Sequence, residues 1–456
     1  MVEPRVADPE LTALLELARK VVEDAGAGEQ VEAYVSRSRS TDVKVFGGEV
    51  ESLAVAQTEG VGIRVIVDHR QGYSWAGSLD ADVVTDARDN AAFAQPDEWQ
   101  ALISPGELES SDPVTLDLWR DSLLTVPASA KVDLALELER ATTAADPRVR
   151  GVEEVMYSDT ASETAIASSS GVEGSARRTM CSCGSFAMAG EGGETQTGYG
   201  FSAGRAFEDL DLERAASDAA DRATRLLGAR PIRSTRLPVI FDPLVTRSLL
   251  SLIGSALNGE AVLKGRSMFV GREGENVATA ALTLVDDPRL SESFGASTYD
   301  AEGVPTRRVE LIVDGVLRGY LHNGYTGRRS GTGTTGSAVR GGFKSAPGVG
   351  ARSLHAVPGR STPDELLRAF PEALYVQSVS GLHSGTNPVS GDFSVGAEGL
   401  IVRDGSFAEP VREVTVASTL LRMLLEIAGI GSDLVWLPGG AAGLTLLIGE
   451  MSISGT

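Results

Sequence analysis

Residues 31–78 read VEAYVSRSRSTDVKVFGGEVESLAVAQTEGVGIRVIVDHRQGYSWAGS. Valine, isoleucine and leucine recur at every second position over much of this stretch, which is the period of a strand and not of a helix. Gly47-Gly48 interrupts the run, and the segment from His69 to Gly72 interrupts it again. The reading is several antiparallel strands joined by turns. Upstream, residues 8–26 predict a helix with Asp8 as N-cap and Pro9 in its first turn. Leu11, Leu14, Leu15, Ala18, Val21 and Val22 form its apolar face, and Gly26 ends it. Downstream, residues 80–94 predict a second helix. Residues 96–127 carry Pro96, Pro105, Pro113 and Pro127 and read as a long surface connection.

The pattern then repeats. Residues 128–145 predict a helix, residues 149–206 predict strands, and residues 211–229 predict an alanine-rich helix ending at Gly228. Helix, strands, helix occurs twice, which suggests a duplicated α+β unit without a clean residue-level repeat. A boundary is expected near residues 229–238, giving domains at 1–232 and 233–456. After it, LPVIF reads as a strand and residues 242–259 as a helix. Leu244, Val245, Leu249, Leu252, Ile253, Ala256 and Leu257 cover most of that helix's circumference, so it is expected to be buried. Asp314-Gly315 and Asp404-Gly405 each sit between apolar runs and predict hairpins. Thr362, Pro363 and Glu365 predict a short capped helix. The fold class expected is α+β: N-terminal antiparallel strands with flanking helices, then a strand-rich C-terminal domain around a buried central helix.

The 456 residues include 41 Lys plus Arg and 63 Asp plus Glu, a net charge of −22. Such a balance argues against binding nucleic acid through a broad basic surface. No apolar run is long enough to span a bilayer, and the start, MVEPRVADPELTALLELARK, has no signal-peptide pattern. A cytoplasmic protein is expected. The two cysteines, Cys181 and Cys183, exclude a disulfide framework by count and read as ordinary strand residues. His69, His322, His355 and His383 are too dispersed for a local zinc motif.

Several other motifs are weak. Gly331, Gly333 and Gly336 match G-x-G-x-x-G, but no helix pattern follows them. Residues 324–342 hold seven glycines and read as a mobile or closely packed loop. No G-x-S-x-G elbow or phosphate-binding loop occurs. His383 and Asp392 leave a spatially assembled triad open. Asp300 and Glu302 flank a turn, where solvated charges are the ordinary case and acid–base chemistry the rarer one.

One ordered set of segments points further: ALNGEAVLKGRSMF, then FGASTYDAEGVPTRRVELIVDGVLRGYL, then the glycine-rich loop, then GTNPVSGDFSVGAEGLIVRDG and PVREVTVASTLLRMLLEIAGIGSDL. Together with VKVFGGEVESLAVAQTEGVGIRVIV near the start, the chain resembles the TldD/PmbA family of cytoplasmic peptidases over nearly its whole length. PmbA is also called TldE. In the TldD branch a helix carries H-E-x-x-x-H, and a downstream cysteine is a further metal ligand. The resemblance places the first histidine on Leu250, the glutamate on Ser251 and the second histidine on Ser255, with the cysteine falling within residues 439–443. None of these residues can hold zinc or activate its water. Helix positions five apart also lie about 140° apart, so the motif needs a helix end or distortion, and Asn258-Gly259 supplies an end.

The resemblance therefore implies the PmbA/TldE branch, a chain with no cofactor of its own that forms a heterodimer or larger assembly with a zinc-bearing TldD-type subunit. Family roles include removing leader peptides from small modified peptides, degrading unfolded peptides and an antitoxin, and an older link to modulation of DNA gyrase. An extended peptide recognised by added strand pairing suits the strand-rich sequence. Tyr325, Arg328, Arg329, Asn387 and Asp392 are the substrate-cleft candidates. Two other classes stay open: a stand-alone peptide-binding homodimer, and a metal-independent hydrolase using His383 and Asp392.

Overall fold

The computed structural model describes residues 9–79, 83–108, 113–191 and 193–456. Helix α1 (Pro9–Glu23) opens it, so the Asp8 cap lies outside the described residues. Strands β1 (Gln30–Phe46), β2 (Glu49–Val67) and β3 (Arg70–Ala76) follow, then α2 (Val84–Phe93). Gly47 and Gly48 both have positive φ and form the two-residue turn between β1 and β2. The next turn is Asp68-His69, at φ 48° and 59°, slightly earlier than the His69–Gly72 segment. Gly72 has a different task. A Cβ there would lie 1.9 Å from the Ala87 carbonyl oxygen, so it admits α2 against β3.

The connection 96–127 is less superficial than its prolines suggest. It contains a short helix, α3 (Asp121–Thr125), and it buries Leu102, Ile103 and Leu118. Then come α4 (Ala128–Ala145), β4 (Val149–Ser168), β5 (Glu173–Glu191), β6 (Glu194–Gly204) and α5 (Leu212–Thr224). All six strands form one antiparallel sheet, ordered β3-β2-β1-β4-β5-β6. The order reads outward in the same way from the central β1–β4 pair, which is the duplication expected from the sequence. The alanines of α5 bury against β6, where Gly198 and Gly200 let the helix backbone approach as Gly72 does for α2. Helices cover one face: Val31, Ala33 and Val35 pack with Leu14 and Ala18, while Val43 and Val45 pack with Leu134 and Leu138.

The C-terminal half is built around a small barrel. Strand β7 (Thr235–Phe241) runs parallel to Glu372–Ser380 and antiparallel to Leu446–Ser454. Asp392–Arg403 and Ser406–Thr419 continue the sheet through the left-handed Asp404-Gly405 turn. Pairing of Thr415–Ala417 with Ser452–Ser454 closes it. Helix α6 (Pro243–Ala256) starts from the Asp242 cap and buries Val245, Leu249, Leu250, Ile253 and Ala256. It is not buried all round, because Ser251 and Ser255 are exposed. The short helix α7 (Gly259–Leu263) follows at once. The glycine-rich stretch begins with another helix, α8 (Gly324–Ser330), where a loop was expected. Asn323 nucleates it by accepting a hydrogen bond from the Thr326 amide.

The second face of the N-terminal sheet meets the C-terminal half. The Tyr73 hydroxyl donates to the Phe343 carbonyl at 2.7 Å, and Gly174 lies against the Tyr299 ring.

Candidate functional site

A cleft of about 500 Å³ lies along the exposed side of α6. Ser251, Ser255, Asn258, Glu260, Gly440 and Ala441 are among its walls. Asn258 sets its end. Its Oδ1 caps α7 by accepting from the Glu260 amide, and its Nδ2 donates to the Val349 carbonyl at 2.6 Å. Ser251 Oγ donates to the Arg247 carbonyl and Ser255 Oγ to the Ser251 carbonyl, both at 2.9 Å. These are bonds to the helix's own backbone one turn back. Leu250 points elsewhere. It is 2% exposed and packs among Leu249, Leu424 and Leu446.

Residues 439–443 approach α6 closely. Arg247 Nη2 donates to the Pro438 carbonyl at 2.8 Å. A Cβ at Gly443 would lie 1.9 Å from the Pro243 oxygen, and one at Gly440 would lie 2.9 Å from the Ala351 oxygen. The fold thus gathers Ser251, Ser255, Gly440 and Ala441 at one cleft and turns Leu250 away from it. These groups do not fit a zinc ion: they offer two engaged hydroxyls and no imidazole, thiolate or carboxylate at the matching positions. Among the described residues, no group of three or more His, Cys, Asp or Glu is placed to hold a metal. Glu260, at the cleft's rim, is paired with Lys264.

The five cleft candidates stand away from this cleft. The Tyr325 hydroxyl donates to Asp97 Oδ2 at 2.7 Å and accepts from Arg329 Nη1. Arg328 donates to the Trp99 and Ala101 carbonyls and pairs with Glu107 at 2.8 Å. Those three side chains fasten the N-terminal connection onto α8. Asn387 Oδ1 accepts from the Val389 amide, and Asp392 accepts from the Ser390 hydroxyl at 2.6 Å. Among the described residues no hydrogen bond joins Asp392 to His383. The glycines Gly331, Gly333 and Gly336 follow a helix instead of preceding one, and Gly331 serves as the left-handed C-cap of α8.

The structure also brings Glu302 into a buried ion network whose other members the sequence did not mark. Arg64 is buried between Glu32, at 2.5 Å, and Glu302, at 3.1 Å. Arg340 pairs with the other oxygen of Glu32. Burial opposes the charge on Arg64, but Glu32 and Glu302 outweigh it and raise its pKa. Burial likewise opposes ionisation of Glu32, and Arg340 and Arg64 overcome it to keep that carboxyl low. Asp300 and Glu302 are therefore not a solvated turn: they are 5% and 3% exposed. Burial, and then the Glu302 charge, push Asp300 up to about 7. For Arg64 the sequence signal was a charge inside an apolar strand run, GIRVIV, which the fold buries on both faces.

Cys181 and Cys183 are strand residues whose thiols burial pushes up to about 12 and about 11, so neither is a nucleophile near neutral pH. His322 is buried against Thr326, and burial lowers its pKa to about 4.

Three family models match in succession: PmbA/TldA metallopeptidase domain 1 at residues 31–93, the central domain at 121–227 and the C-terminal domain at 234–455. The chain belongs to the PmbA/TldD metallopeptidase family. It is 28% identical to Metalloprotease PmbA of Escherichia coli O157:H7, covering 97% of this chain and 98% of that one. It is 25% identical to the Metalloprotease TldD homolog of Haemophilus influenzae, covering 87% of each. The fold matches that of TldE from Thermococcus kodakarensis with a TM-score of 0.87 at 21% identity, over 98% of this chain and 100% of the other. No described helix is long and apolar enough to cross a membrane.

Proposed function

We propose that this family member is the non-catalytic TldE/PmbA-like subunit of a TldD/TldE metalloprotease heterodimer, with zinc carried by the TldD-type partner. Its work is proteolysis or leader removal on small peptides in the cytoplasm. The observation that carries this reading is the α6 cleft, where hydroxyls engaged by their own helix, a glycine and an alanine stand at the positions that would supply metal chemistry. A cleft of about 500 Å³ whose lining offers no imidazole or thiolate suits holding a peptide more than cutting it through a metal.

A free sheet edge adds support. Strand β3 pairs with residues 61–67 of β2, which leaves residues 49–59 without a strand neighbour on that side among the described residues. Phe46, Val50, Leu53 and Val55 are exposed there. Such an edge is a template for pairing with another chain. The test is metal content and peptide cleavage by the purified chain. Substoichiometric zinc and no cleavage are expected; one tightly held zinc per chain, or cleavage without a partner, would refute the proposal.

A further inference from the structure

A second cavity, about 110 Å³, lies where β4 and β5 meet the C-terminal half. Arg178, Arg340 and Arg352 line it together with the Tyr34 and Tyr299 rings. Arg340 donates from Nε to the Ala301 carbonyl and pairs with Glu32, yet its Nη1 is buried without a partner. Its side chain is 1% exposed. Arg352 donates from Nη2 to the Ala338 carbonyl at 2.7 Å, and its Nε is also buried without a partner. Arg178 stands at the exposed mouth, and among the described residues no hydrogen bond or ion pair engages its guanidinium.

The charges around this cavity do not balance. The lining carries Arg177, Arg178, Arg340 and Arg352 against one carboxylate, Asp300; behind it Arg340 and Arg64 share Glu32, Arg64 also meets Glu302, and Asp286 lies near Arg352. A positive surplus inside a chain of net charge −22 is the reverse of its average surface. A buried N–H without an acceptor has lost its hydration with nothing in return. Water would satisfy the N–H groups but would not offset the charge.

We propose that this cavity is an oxyanion site, taking one carboxylate or phosphate group beside Arg178, Arg340 and Arg352. Planar guanidinium forks match both groups, and their charge-assisted hydrogen bonds are the strong kind. The volume equals that of about four waters at about 30 Å³ each, which admits one such group and no whole nucleotide or peptide. A larger ligand would project its anionic end past Arg178 and keep the rest outside.

Calorimetric titration of the full chain with inorganic phosphate, acetate, trialanine and trialanine amide tests this. The expected result is saturable binding, one per chain, of phosphate or of the free carboxylates. Arg178→Ala should weaken it by about 10-fold or more, and Arg178→Lys by less, with the melting temperature unchanged. Trialanine binding without binding of its amide assigns the site to a peptide carboxyl terminus; phosphate binding alone assigns it to a phosphate group. No saturable binding by any probe, or equal binding by Arg178→Ala, would overturn the proposal.

Discussion

Arg64 joins the two halves of the molecule through Glu302, while Glu32 links it to Arg340. Removing one partner from a buried ion pair leaves an uncompensated charge, which costs about 3–5 kcal/mol. Arg64→Ala is therefore expected to lower the urea midpoint by that much stability, and a change below about 1 kcal/mol would contradict the role given to it. His322 gives a pH-dependent prediction. Its folded pKa is about 4 against a reference of 6.5, so the neutral ring's contribution is present above pH 6.5 and is lost as pH falls toward 4. At about 1.4 kcal/mol per pH unit, the contribution is at most about 3.5 kcal/mol. Urea midpoints at neutral and mildly acid pH should converge between the parent and His322→Gln as pH falls. Asp286 and Asp300, raised by burial, act with the opposite sign in both proteins and cancel in the difference. Parallel pH curves would contradict the assignment.

At the scale of elements, α6 separates packing from chemistry within one turn. Leu250 belongs to the core, so Leu250→Ala should cost about 2–5 kcal/mol by thermal or urea unfolding. Ser251→Ala and Ser255→Ala remove only bonds to the helix's own carbonyls, so each should stay within about 0.5 kcal/mol of the parent in stability. A large loss of a partnered complex's peptidase activity in Ser251→Ala would mean a chemical role. Local signals made much of the fold legible: Gly47-Gly48, Asp314-Gly315 and Asp404-Gly405 are left-handed turns, and Thr362 with Glu365 forms the capping box. What escaped the sequence depended on distant partners. The exposure of Ser251 and Ser255 is set by where residues 349–351 and 440–441 lie, and Arg64 meets Glu302 across 238 positions. Helix α8 was hidden because its glycines suggest a loop, whereas Gly327 is buried where Gly333 leaves no room for a Cβ.

For the whole molecule, the buried ion network and the α8 clasp join the duplicated sheet to the barrel, and residues 49–59 are left as a free edge among the described residues. Leu53→Lys with Val55→Lys should abolish co-purification with a TldD-type chain without lowering the melting temperature, since both side chains are exposed. Retained co-purification would remove that edge from the interface. The central claim, that this chain serves a protease without supplying its chemistry, is tested most directly by peptide cleavage in three samples: this chain alone, a TldD-type chain alone, and the two mixed with zinc. The account predicts no cleavage by this chain alone and cleavage by the mixture well above that of the TldD-type chain alone. Cleavage by this chain alone, or a mixture no more active than the TldD-type chain, would contradict it.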